Sequence, residues 1–278
     1  MKVKGRKTFI KDLIFIYTAA FLSILFSISL CAGEKIEISS VAQLKITILY
    51  DNYVYTNGTQ PDWGFACLVE GPEKTILFDT GAKPEVLKQN IQKLNIDLSK
   101  IDLLAVSHNH WDHIGGLPAV YEIKSPLDVF LPVALLAEES KKFNKEKAIF
   151  NVAGKSSKLC SGVLLTGALG SEIKEQALII NTPKGLVVIT GCAHPGIVEM
   201  LKSAKEMTGG NIYLVVGGFH LLRHSDEEVN RVIAELKSLG VEKCSASHCT
   251  GDRAIDLFKK SFAENYLPAG TGKVFVIE

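Results

Sequence analysis

Six consecutive residues constrain this chain most: His108-Asn109-His110-Trp111-Asp112-His113, followed at once by Ile114-Gly115-Gly116-Leu117. Four potential metal ligands stand in that stretch. They follow an apolar run, Ile101-Asp102-Leu103-Leu104-Ala105-Val106, whose length and composition predict a buried β-strand. A strand ending there delivers its side chains to a sheet edge, where a loop turns them inward. On an extended backbone His108 and His110 point to one side. Asp112 and His113 come after the turn begins and reach a second point. Two imidazoles suit zinc, and a carboxylate with an imidazole suits a neighbouring divalent ion. So dense a polar cluster would be left uncompensated in an ordinary core, and a hydrolytic dinuclear metal site is the leading reading. Structural zinc is disfavoured, because Cys67, Cys160, Cys192, Cys244 and Cys249 lack CxxC spacing.

The chain has 278 residues, 47% of them hydrophobic, enough for one large domain or two fused halves. Its 31 basic and 30 acidic residues are evenly mixed. Without a basic stripe, a nucleic-acid partner is not expected. The N-terminus differs from the rest. Lys2, Lys4, Arg6, Lys7 and Lys11 precede an uncharged, mostly apolar run from Leu13 to Leu30, and Cys31-Ala32-Gly33 follows. That order predicts a signal peptide over residues 1–33, with a domain over 34–278 and an exported, periplasmic or extracytoplasmic protein. The second reading is a membrane anchor over residues 13–30, since 18 apolar residues approach the length of a span. Lipidation at Cys31 ranks third. Cleavage near Gly33 leaves five cysteines, so at least one is unpaired within the chain. A disulfide between Cys192 and Cys249 stays open.

The remaining patterns predict strands over 42–50, 65–70, 75–78 and 127–131, and helices over 84–94 and 133–143. Residues 145–161 read as an irregular insertion or lid. Paired strands are predicted over 177–181 and 186–190, joined through Thr182-Pro183-Lys184-Gly185. Helices follow at 197–207, 226–239 and 252–262, with strands at 211–216 and 243–247. Strands inside and helices outside, twice over, suit two sheets packed face to face. The polar clusters recur at strand C-termini: Asp79, His108 to His113, His194, His220 and His248. His194 lies in Gly191-Cys192-Ala193-His194-Pro195-Gly196, and His248 in Ser247-His248-Cys249-Thr250-Gly251. These two histidines complete His108-His110-His194 around one metal and Asp112-His113-His248 around another. Three protein ligands leave a coordination position for water.

These motifs together resemble the metallo-β-lactamase fold superfamily, whose HxHxDH motif reads here as His108, His110, Asp112 and His113. Asp79 in Leu77-Phe78-Asp79-Thr80-Gly81 matches its first motif, and His194 and His248 match its later histidine motifs. The resemblance implies a four-layer αββα sandwich of two mixed sheets, with Asp79 orienting the site and two divalent ions bound, zinc first, manganese or ferrous iron as alternatives. Gly217-Gly218-Phe219-His220-Leu221 and Glu175-Gln176-Ala177-Leu178 are similar to one branch. It includes the archaeal dihydropterin ribofuranosyl-aminobenzene phosphate synthase and many hydrolases. Many superfamily members carry a bridging acid or cysteine after the strand that ends here in Gly217 to His220. No acid stands there, and His220 either fills part of that role or binds an anionic substrate group. Trp111 and Phe219 are candidate pocket walls. Cys192 and Cys249 read as small buried residues of tight turns, or as residues that tune a metal.

The function expected is metal-dependent hydrolysis of a small-molecule ester, lactone, thioester or phosphoester by a metal-activated water, with Asp112 and His220 assisting. One alternative is a pterin-related synthase, against which export argues. Another is a non-enzymatic metal-binding module. A diiron redox enzyme is disfavoured, since such branches place a glutamate where His110 stands. The branch motifs also disfavour an antibiotic-hydrolysing lactamase.

Overall fold

The computed structural model describes residues 35–132, 148–153 and 156–278. Its first half comprises β1 (Leu44–Tyr50), β2 (Ala66–Glu70), β3 (Ile76–Phe78), α1 (Pro84–Lys93), β4 (Leu103–Ala105), α2 (Trp111–Ile114), α3 (Leu117–Ile123) and β5 (Leu127–Pro132). Then come β6 (Ala148–Ala153), β7 (Ser157–Cys160), β8 (Val163–Leu165), β9 (Leu178–Thr182), β10 (Gly185–Thr190) and α4 (Ile197–Thr208). The chain closes with β11 (Ile212–Gly218), α5 (Asp226–Ser238), β12 (Lys243–Ser247), α6 (Asp252–Phe262) and β13 (Val274–Ile277). One sheet runs β13-β1-β2-β3-β4-β5-β6 and the other β12-β11-β10-β9-β8-β7. Both are mixed. In the first, β3 to β6 are parallel; in the second, β10, β11 and β12 are.

The central strands, such as β3, β4 and β10, read as apolar because both of their faces are buried, and alternation decides which face each residue serves. Ile76 and Phe78 of β3 meet Val187 and Ile189 of β10 in the core between the sheets. Leu77 turns outward to Leu87 and Ile91 of α1 and Val120 of α3. Leu186 and Val188 turn the other way, to Met200 of α4, Ile233 of α5 and Phe258 of α6. Each such side chain contributes roughly 1.5–3 kcal/mol by leaving water. The result is the αββα sandwich expected.

Three features depart from the sequence reading. The described part of 145–161 is not an irregular lid but holds β6 and β7, each at the end of its sheet. A strand there needs burial on fewer sides, and Ile149 is 56% exposed, so its pattern carries little signal. The helix α3 and the strands β8 and β13 were not expected, although Val274 to Ile277 alternates exposed and buried. The predicted helix over 133–143 and the N-terminal segment 1–33 lie outside the described residues. Among the described residues no helix is long and apolar enough to cross a membrane.

Candidate metal centre

The parallel strands β3, β4, β10, β11 and β12 all send their C-terminal ends to one place, the usual location of sites on such sheets. There the structure brings His108, His110 and His194 together. His108 Nε2 lies 3.1 Å from His110 Nδ1, and His194 Nε2 lies 3.1 Å from that same atom. His108 is buried, whereas His110 and His194 are half-buried and open the group to solvent.

A second group adjoins it, with the His108 and His113 rings 4.2 Å apart. Asp112 Oδ2 lies 3.6 Å from His113 Nε2 and 3.3 Å from His248 Nε2. Cys192 Sγ stands 3.2 Å from that His113 nitrogen and 3.3 Å from the His248 nitrogen. Ligands about 2.0–2.3 Å from a tetrahedral ion lie roughly 3.3–3.8 Å from one another, and the gaps here come within a few tenths of an ångström of that. The donor atoms of both groups therefore fit a divalent ion.

The buried imidazoles are aimed from behind. Asp79 Oδ2 takes the His113 Nδ1 proton at 2.7 Å and a hydrogen bond from Ser107 Oγ at 2.7 Å. Because Ser107 spends its proton on Asp79, its oxygen accepts from His108 Nδ1 at 2.9 Å. His248 Nδ1 donates to Asn52 Oδ1 at 2.9 Å, an oxygen identified by the Gly64 N–H that also bonds it. All three rings thus engage Nδ1 from behind and turn Nε2 inward, the orientation in which Nε2 ligates a metal once it has given up any proton.

Glu175 organises the other wall. Its buried carboxylate accepts the backbone N–H groups of Gly191, Cys192 and Ala193 on Oε1 and of His194 on Oε2, at 2.8 to 3.1 Å. This wraps the turn after β10 around one side chain and fixes where Cys192 and His194 point. Gly191 is required there, since a Cβ would fall 2.2 Å from Ser107 Oγ. Asp79, Ala193, His220 and His248 all hold positive φ between 49° and 60°, and such strain gathers at functional sites.

Electrostatics follow from this crowding. Burial, then the charges of His113, His194, His110 and His248, hold His108 well below the ordinary imidazole range. Burial with His220, His110 and His113 pulls His194 down to about 3. Burial opposes ionisation of Asp112, but its His248 hydrogen bond and the charges of His113 and His248 hold it at about 2. Burial likewise disfavours a charged His113, yet Asp79, Asp112 and Glu175 push it up to about 9. Burial raises Glu175 to about 6 against the four N–H groups it accepts.

His220 enters neither group of imidazoles. Its exposed ring lies 4.2 Å from the His194 ring, and a hydrogen bond with Cys249 raises its pKa. With Cys192 and Cys249 it forms a third, outlying cluster. Cys192 and Cys249 are free thiols. Of the candidate pocket walls, Trp111 is 61% exposed and Phe219 is buried against Phe258. Trp63, which the sequence did not single out, is the aromatic at the mouth, its ring 5.1 Å from His248. Ser107, Asn52 and the cradle made by Glu175 were also missed.

Comparison with known proteins agrees with this geometry. The sequence model of the metallo-β-lactamase superfamily matches residues 62–129. The 7,8-dihydropterin-6-methyl-4-(β-D-ribofuranosyl)-aminobenzene-5'-phosphate synthase of Methanocaldococcus jannaschii is 32% identical, over 85% of this chain and 98% of its own. The chain belongs to the metallo-β-lactamase superfamily. Tm1679, a metal-dependent hydrolase of that superfamily, superposes with a TM-score of 0.71 at 30% identity, covering 84% of this chain and 98% of its own. YhfI of Bacillus subtilis, another metallo-β-lactamase fold protein, gives 0.63 at 17% identity and shares the fold alone.

The stretch His108 to His113 follows the core strand β4, and the role of Asp79 behind it is testable. Asp79→Asn places an NH₂ against either His113 Nδ1 or the Ser107 N–H. The ring must then move its proton to Nε2 or lose its support. Affinity for a divalent ion held through His113 is expected to fall roughly 10–100-fold with the fold retained. Competition with a chromophoric chelator measures it, and unchanged affinity would refute the role.

Proposed function

We propose that this chain is a metal-dependent hydrolase of small-molecule esters, lactones, thioesters or phosphoesters, holding two divalent ions, zinc first. The observation that carries the reading is the pair of adjoining donor groups, one of them half-open to solvent. Divalent ions held there supply Lewis acidity and lower the pKa of water toward neutrality. The protein's own part is positional. Ser107, Asp79 and Asn52 hold three imidazoles in the ligating orientation. Asp112, kept ionised at about 2, is too weak a base to store a proton and instead orients the attacking water by accepting its hydrogen bond. His220, drawn toward its protonated form by Cys249, donates to an anionic oxygen at the mouth. Beside it Trp63, Leu222, Arg223 and His224 line a cleft of about 300 Å³. An aromatic ring and a guanidinium there suit a substrate with an apolar body and an acidic group.

The second reading is a pterin-related synthase, favoured by the end-to-end match to the archaeal relative. Both are tested with metal-loaded full chain. It is offered ester, lactone, thioester and phosphodiester panels, and separately a dihydropterin with an aminobenzene ribofuranosyl phosphate. Chelator-sensitive hydrolysis is the expected result. Formation of a pterin–aminobenzene product without hydrolysis would install the synthase, and metal binding without either turnover would leave a binding module.

A further inference from the structure

We infer that Cys192 is a fourth protein ligand in the group of Asp112, His113 and His248, making that position closed and leaving His108, His110 and His194 as the open one. The inference rests on the two-ion reading above and goes beyond it by giving the two positions different tasks.

The geometry is that of a ligand. Cys192 Sγ lies 3.2 and 3.3 Å from the two inward-facing imidazole nitrogens, within a few tenths of an ångström of the roughly 3.5 Å that a tetrahedral ion sets between sulfur and nitrogen donors. Its ligand atom and those of Asp112, His113 and His248 all lie within 4.8 Å of one another. The thiol did not arrive there by loose packing. It is 3% exposed, its backbone N–H is held by Glu175 at 2.9 Å, and the next residue, Ala193, takes a left-handed φ of 60° to complete the turn.

The Nδ1 atoms of His113 and His248 are engaged by Asp79 and Asn52. Their Nε2 atoms, the Asp112 oxygen and the Cys192 sulfur therefore converge on one point. A cation that displaces the remaining protons satisfies all four at once. Its binding releases the thiol proton to solvent and forms the sulfur–metal bond.

Two consequences follow. Carboxylate and thiolate bring two negative charges to this position, so an ion here is neutralised and fully ligated. Three neutral imidazoles leave the other ion its charge and an open place, the arrangement that best acidifies water. A thiolate also selects zinc or cobalt over manganese, so manganese should fill the open position in preference to the closed one.

The test is a cobalt titration of the metal-depleted full chain, followed by absorption. Visible d–d bands that saturate at two ions, with a near-ultraviolet sulfur-to-cobalt charge-transfer band, are the expected result. Cys192→Ser should abolish the charge-transfer band, keep the visible bands and weaken one ion by more than about 100-fold, beyond the cost of losing an outer partner. Cys249→Ser, whose thiol points to the Cys192 carbonyl at 3.5 Å, should leave the band in place. Visible bands without charge transfer in the native chain would overturn the ligand assignment while sparing the two-ion reading, whereas no cobalt bands at all would overturn that reading itself. Should Cys192→Ser fail to fold, X-ray absorption of the zinc-loaded native chain decides. Sulfur in the zinc shell is required, and a shell of nitrogen and oxygen alone refutes it.

Discussion

Glu175→Ala is expected to lower stability by at least about 4 kcal/mol, since four buried N–H groups lose their acceptor at roughly 1–3 kcal/mol each. Gly191, Cys192, Ala193 and His194 all donate to this one carboxylate, and the first three of these residues are buried. Native stability is about 5–15 kcal/mol, so the variant approaches the threshold of folding. Glu175→Gln should be milder, about 1–3 kcal/mol. Its carbonyl oxygen keeps the three-donor partners, and its amide nitrogen opposes only the His194 N–H. Urea denaturation with chelator present separates this effect from metal binding. A loss below about 1 kcal/mol for the alanine variant would mean the turn does not depend on Glu175.

His110→Ala should remove function without removing the fold. The ring is half-buried at the mouth and supplies the Nδ1 that both His108 and His194 approach at 3.1 Å, so its loss leaves two ligands at the open position. Hydrolysis of whichever substrate the panels identify should fall at least about 10³-fold in kcat/KM, the equivalent of about 4 kcal/mol of transition-state stabilisation. The melting temperature of the metal-depleted variant should stay near that of the native chain, because no large buried cavity opens. A loss below tenfold would place the chemistry elsewhere.

Much of this was legible in the sequence, for a physical reason. Metal ligands are chemically rare side chains, and a strand followed by a turn concentrates them locally, as His108 to His113 shows. Asp79 and His194 stood out because each follows an apolar strand at a glycine-containing turn, and His248 because it stands in the turn Ser247-His248-Cys249-Thr250-Gly251. The residues behind them did not. Ser107 and Asn52 are common polar residues whose partners lie one and 196 positions away. Glu175 directly follows the mostly polar stretch Ser171-Glu172-Ile173-Lys174, and nothing local says which carboxylate, Glu172 or Glu175, turns inward. That decision belongs to the tertiary closure of β9 and β10 over it. Cys192 shows the same limit from the other side. A cysteine in a tight turn reads as packing, and only the meeting of β10 with α2 and β12 puts its sulfur among ligands. His220 was expected to take part at the metal or at the substrate, and its place beside Cys249, outside both imidazole groups, favours the substrate side.

The central claim, that two adjoining groups hold two ions, is tested most directly by elemental analysis of the full chain purified without chelator, beside His110→Ala. The account predicts about two zinc ions per native chain and about one in the variant, retained by Asp112, His113 and His248. One ion in both proteins, or none in either, would contradict it.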